Sequence, residues 1–88
     1  MIRRRAVVHG RVQGVWFRES TRRIAQRERL AGWVRNAHDG TMEAALEGDE
    51  AAVERVLEFL RLGPPDARVE RVDVHAEEPE GATGFSVR

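Results

Sequence analysis

Apolar and polar positions alternate along residues 3–9, with Ala6 and Val8 on one side and Val7 and His9 on the other. A period of two marks a first strand over Arg3–His9. From Phe17 the period lengthens, and Phe17, Thr21 and Ile24 share one helical face with Ala25 at its margin. Glu28 falls on that same face against the pattern, and Gly32 closes the helical segment. Trp33–Asn36 reads as a second strand and Thr41–Glu47 as a third, in which Met42, Ala44 and Leu46 alternate with Thr41, Glu43 and Glu47. The Ala37-His38-Asp39-Gly40 link between them carries Asp-Gly, a hairpin turn signal. Asp49 is placed to cap a second helix whose apolar stripe is Val53, Val56, Leu57 and Leu60, and Gly63-Pro64-Pro65 stops it. A fourth strand covers Arg68–Ala76, with Val72, Val74 and Ala76 in phase. Pro79–Thr83 is a turn region, and Phe85 with Val87 predicts a short last strand.

The order is β-α-β-β-α-β with a terminal strand added. It predicts an α+β ferredoxin-like sandwich, a single domain over 1–88 with two helices on one face of a mostly antiparallel four- to five-stranded sheet. That fold hosts many unrelated functions, so function has to come from a site.

Charge changes the picture more than composition does. The 88 residues are neutral overall, yet residues 1–37 hold ten Arg against Glu19 and Glu28, while residues 38–88 hold five Arg against thirteen acids. This asymmetry of +8 against −8 suits a small anionic ligand near the N-terminal half, with the acidic half opposing non-specific polyanion binding. No cysteine is present, which excludes disulfides and thiolate chemistry. No apolar run approaches the ~20 residues of a membrane span, and the apolar part of Met1–Val8 is too short for a signal-peptide core. A cytoplasmic protein without a membrane partner is the expectation.

The candidate chemistry lies in Gly10-Arg11-Val12-Gln13-Gly14-Val15-Trp16-Phe17-Arg18, between the first strand and the first helix. Glycines in such a turn allow several N–H groups to point inward together, and the following helix adds unsatisfied N–H groups and the positive end of its dipole. Arg18 supplies a planar, permanently charged fork that matches two phosphate oxygens. An anion cradle and an ordinary loop with solvated arginines both fit these residue types. The chain has no lysine, which excludes a Walker-type P-loop, and glycines at 10 and 14 do not make a dinucleotide fingerprint. Val12 to Arg18 has the Cys-x5-Arg spacing of cysteine phosphatases, but valine stands in the nucleophile's place. Water is then the attacking group, or the site only binds.

Asn36, the single asparagine, sits just before the hairpin turn. It can initiate that turn, or its carboxamide can hold a water in place. His9, His38 and His75 are scattered with no metal-ligand spacing, so no metal and no cofactor is expected. His38 is placed in a solvent-exposed turn. Phe17 is assigned to the core, and Trp16 is left without a role.

Gly10-Arg11-Val12-Gln13-Gly14-Val15-x-Phe17-Arg18 resembles the first signature of the acylphosphatases. Gly32-Trp33-Val34-Arg35-Asn36-x-x-x-Gly40, followed by Glu43 and Gly48, resembles the second. Met42 stands where that family usually has valine, a volume-tolerant core change. The resemblance implies metal-independent hydrolysis of the carboxyl–phosphate bond of acyl phosphates to a carboxylate and inorganic phosphate. It implies that Arg18 binds the phosphate with the backbone N–H groups of Gln13, Gly14, Val15, Trp16, Phe17 and Arg18, and that Asn36 orients the water. The partner is then a small molecule, and the expected state is a monomer.

RNA-recognition domains of this topology stack bases on aromatics in the first and third strands. Arg3–His9 and Thr41–Glu47 contain none, so nucleic acid is not an expected partner. A phosphate sensor without turnover would keep the cradle, and only Asn36 separates it from a hydrolase. An acylphosphatase-like unit within a larger carbamoyl-phosphate-using protein is a third alternative, which the length of the chain disfavours.

Overall fold

A computed structural model describes residues 1–88. Its elements are β1 (Ile2–Arg11), α1 (Phe17–Arg27), β2 (Ala31–Asn36), β3 (Met42–Gly48), α2 (Glu50–Leu62), β4 (Arg68–Glu77) and β5 (Phe85–Val87). The five strands form one sheet in the order β4-β1-β3-β2-β5. All neighbours are antiparallel except β5, which runs parallel to β2 and pairs Gly32 with Phe85 and Val34 with Val87. Two helices on a mixed five-stranded sheet match the expected ferredoxin-like arrangement.

The alternation read from the chain sets which face of the sheet is covered. Ala6, Val8, Val34, Met42, Ala44 and Leu46 are fully buried beneath the helices. From α2 the stripe Val53, Val56, Leu57 and Leu60 closes the core. The Asp49 carboxylate caps that helix by accepting from the Ala51 N–H at 3.2 Å. Where the helices meet, Phe17 and Phe59 pack edge to face with ring centroids 5.6 Å apart.

Two expectations about α1 need correction, and the misfit of Glu28 is resolved at the helix end. The buried face is Phe17, Thr21 and Ala25, with Ile24 partly exposed at its margin, because the helix is rotated slightly toward Ala25. Glu28 lies beyond the last helical residue and is not forced into the core. Its carboxylate accepts from Arg55 on α2 at 2.7 Å, which ties the end of α1 to the second turn of α2 and holds the Glu28 pKa below the usual carboxylate value. Gly32 does not terminate the helix. The helix stops at Arg27, Arg29 turns left-handed (φ 60°), and Gly32 is the second residue of β2.

The segregated charges of the sequence meet on the uncovered face of the sheet. Arg3 on β1 binds Glu47 on β3 at 3.0 Å and Glu77 on β4 at 3.1 Å. Arg5 binds Glu43 at 2.8 Å and Glu77 at 3.0 Å, and Arg35 on β2 binds Glu43 at 2.7 Å. The basic first half and acidic second half therefore neutralise one another across adjacent strands. Glu47 is buried although it sits on this open face, because residues 80–82 fold over it. Its carboxylate accepts from the N–H groups of Glu80, Gly81 and Ala82 at 2.9–3.1 Å as well as from Arg3. Those three N–H bonds, led by that of Glu80, hold its pKa below the ordinary carboxylate value.

Candidate active site

The N-terminal motif divides its glycines between two tasks. Gly10 lies inside β1 at a register shift, with φ +127°, and a Cβ there would sit 2.1 Å from the Arg68 carbonyl oxygen. It lets β4 approach and is no part of the turn. Gly14 turns the loop, with φ +73° and open space around it. Two residues later Trp16 is also left-handed (φ 65°), which is costly for a side-chain-bearing residue and marks the junction with α1.

Buried Val12, Val15 and Phe17 pin this loop to the core at three points. The backbone between these anchors is left facing out. The N–H groups of Gln13, Gly14, Val15 and Trp16 donate to no acceptor within the protein. Phe17 and Arg18 open α1, where N–H groups have no intrahelical partner. A turn with left-handed residues followed by a helix start is an anion-binding concavity.

A cavity of about 510 Å³ opens at this loop. Gly14, Trp16, Phe17 and Arg18 line it from the loop and helix start, and Asn36 faces them from the end of β2. Val12, Glu19 and Val87 complete the wall. Arg18 and Asn36, eighteen positions apart in sequence, thus share one hollow. Val15 points into the core, and the Gln13 side chain turns away to the hairpin, so of these two residues only the backbone serves the cradle. Phe17 lies in the core as expected, with its edge on the cavity. Trp16 lines the cavity, and the residue is 78% exposed at the mouth. His38 is exposed in the hairpin turn.

Both polar side chains are uncommitted. Arg18 makes no ion pair and no hydrogen bond, whereas Arg22 next to it is committed to Glu19 and Gln26. Neither end of the Asn36 carboxamide bonds to the protein, and its Oδ1 is buried without a partner. An orphaned buried acceptor costs about 1–3 kcal/mol and is kept only where something else uses it.

Glu19 puts a carboxylate in the wall of a site suited to an anion. The Arg22 guanidinium holds it in a two-pronged pair, one prong 3.0 Å long, and keeps its pKa below the usual carboxylate value. Glu19, Val12 and Val87 were not assigned to the site from the sequence. A first-turn acid gave a signal of its own at Glu19, since it sits three residues before Arg22. Val87 gave none, because it reaches the site only through the parallel pairing of β5 with β2.

Comparison with known proteins decides what this geometry belongs to. The acylphosphatase family model matches residues 4–87. The chain belongs to the acylphosphatase family. A protein of Gloeobacter violaceus named acylphosphatase is 52% identical over 86 residues, covering 98% of this chain and 92% of the relative. The solved acylphosphatase of Bacillus subtilis superposes with a TM-score of 0.96 at 38% identity, covering 100% of this chain and 99% of that one. The structure of HypF from T. kodakarensis contains a similar unit, with a TM-score of 0.85 at 33% identity over 100% of this chain but 12% of that one. This acylphosphatase carries the two motifs on the fold of its family, with Arg18 and Asn36 lining one cavity.

Proposed function

We propose that this acylphosphatase cleaves the carboxyl–phosphate bond of acyl phosphates with Arg18 gripping the phosphoryl group and Asn36 aiming a water at phosphorus. Residues 1–88 act as one catalytic unit, a cytoplasmic monomer working on a small molecule without metal or cofactor.

The reading rests on one observation: two uncommitted polar side chains, Arg18 and Asn36, line the same cavity beside a run of N–H groups with no acceptor in the protein. The N–H groups and the guanidinium fork bind the equatorial phosphoryl oxygens, where charge is spread in the transition state. The Asn36 carboxamide is held by no protein group, so a turn about its last bond presents the oxygen to a water O–H. The water oxygen forms a bond to phosphorus as the bond to the acyl oxygen breaks. The electron pair leaves on a carboxylate, whose conjugate acid has a pKa of about 4, so no general acid is needed. The proton lost by the water passes to a phosphoryl oxygen, and inorganic phosphate is the second product.

Release of inorganic phosphate from benzoyl phosphate in excess EDTA tests this reading, with a phosphomonoester as control. Turnover of the acyl phosphate alone is expected. Loss of activity in EDTA, or equal turnover of the monoester, overturns it.

A further inference from the structure

Four large apolar residues stand exposed on this protein, Met1, Trp16, Leu62 and Val87. Met1 is the first residue and Leu62 the last of α2, where exposure needs no account. Trp16 and Val87 both line the cavity that holds Arg18 and Asn36. Val87 pairs with buried Val34, two residues from Asn36, so all three belong to the helix-covered face of the sheet. The cavity therefore has an apolar rim as well as its polar groups.

Trp16 is the more demanding of the two. Its backbone is left-handed (φ 65°), a conformation that glycine adopts freely and a Cβ-bearing residue adopts at a cost. Its ring pairs with no other aromatic ring and no guanidinium, whereas Trp33 carries Arg88 4.8 Å from its ring centre. Strain kept for an exposed, unpartnered ring points to a use outside the folded chain.

The reaction says what meets that ring. The attacking and leaving oxygens lie roughly in line through phosphorus. The Asn36 Oδ1 that aims the water is buried, which puts the attacking side at the enclosed end. The acyl group leaves in the opposite direction, toward the mouth, where Trp16 stands. Apart from Arg18, the only charged residue in the wall is Glu19, already paired with Arg22. The mouth thus offers an acyl group no free cation, only apolar surface and the face of an indole. A volume of about 510 Å³ accommodates a whole small molecule and not the phosphoryl group alone.

We infer that the Trp16 ring is the platform for the acyl group, so that acyl phosphates with flat aromatic acyl groups are the preferred substrates. The inference rests on the function proposed above, because it takes the phosphoryl group to lie between Arg18 and Asn36. Trp16 then serves twice, its N–H in the cradle and its ring as a specificity surface that touches no reacting atom. An offset stack on the indole face contributes beyond the apolar area that it covers.

The test compares benzoyl phosphate with acetyl phosphate and reads the ratio of their kcat/KM values in the wild type and three variants. Trp16→Gly and Trp16→Asn both remove the ring with residues that accept a left-handed backbone, and Trp16→Phe keeps a ring. Any disturbance of the cradle affects both substrates and cancels in the ratio. The benzoyl-to-acetyl ratio should fall by about three- to tenfold in Trp16→Gly and in Trp16→Asn, the scale of an aromatic pair. In Trp16→Phe it should stay within about twofold of the wild type, because the stack is kept. A ratio unchanged in either ring-deletion variant, or a fall in Trp16→Phe as large as in those two, overturns the platform. Failure of the wild type to release phosphate from acetyl phosphate would instead overturn the parent reading.

Discussion

The Gln13 carboxamide nitrogen donates to the main-chain carbonyl of Thr41 at 2.9 Å, and the same nitrogen donates to that of Ala37 at 2.7 Å. One side chain therefore straps the cradle loop to the hairpin that begins immediately after Asn36. The hairpin is braced from its other side by Asp39, whose carboxylate accepts from the Thr41 N–H at 3.0 Å and the Thr41 hydroxyl at 2.6 Å. The distance between the phosphate grip and the carboxamide is set by this strap. Gln13→Leu removes both bonds at nearly constant volume. Because small displacements of reacting groups cost up to ~10²-fold in rate, kcat should fall by about 10–100-fold. Inhibition by inorganic phosphate should change by less than about threefold, since the loop N–H groups and Arg18 remain. Parallel loss of kcat and phosphate affinity would show the strap to be a general stabiliser only.

Arg22 keeps the cavity hospitable to anions through Glu19. Replacing it with alanine leaves the Glu19 carboxylate unneutralised in the wall. The expected result is weaker inhibition by phosphate, by about threefold at low salt, with the difference shrinking as salt is raised. Adding Glu19→Gln to Arg22→Ala should restore the wild-type inhibition constant.

Of the two glycines in the first motif, Gly10 belongs to folding and Gly14 to the site. Gly10→Ala drives a Cβ into the Arg68 carbonyl and forces β4 from β1. It should destabilise the protein by more than ~2 kcal/mol in denaturant unfolding, the range of clash and backbone strain. Gly14→Ala meets no atom within 4 Å and strains only its own backbone, so it should cost about 1 kcal/mol in stability while disturbing phosphate binding.

Acid stability reports the clamp over the open face. The folded pKa of Glu47 is depressed by the N–H groups of residues 80–82 and by Arg3, and that of Glu77 by Arg3 and Arg5. A depressed folded value means that these groups stabilise the fold fully above the unfolded carboxylate pKa of about 4.3. The contribution is lost as pH falls from there through the folded values. Thermal stability should be flat from neutral pH to about 5 and fall below about 4.3. Glu47→Gln should lower the melting temperature at pH 7, and the gap from wild type should close as the pH approaches 2.

The strand and helix order was readable because alternation and helical stripes report directly on which side chains the sheet buries. Ala6, Val8, Met42, Ala44 and Leu46 all lie where their periodicity put them. What could not be read was anything set by contact across strands. Glu47 looks like an outward polar residue until residues 80–82 cover it. Gly32 follows a helical pattern and resembles a stop, but the chain had already left the helix at Arg27. The site shows the same division. Its two motifs are contiguous in sequence and were legible as an anion loop and a carboxamide. Val87 and the strap from Gln13 depend on β5 joining β2 and on the hairpin folding beside the loop, which no local pattern encodes.

The most direct test sets Arg18→Ala beside Asn36→Ala, measuring kcat on benzoyl phosphate and the inhibition constant of inorganic phosphate for each. Arg18→Ala should abolish both phosphate binding and turnover. Asn36→Ala should keep phosphate affinity largely intact while kcat falls by about 10²–10³-fold, the scale seen when one oriented polar group is lost from a transition-state site. Equal loss of phosphate affinity in the two variants would contradict the division of labour between them.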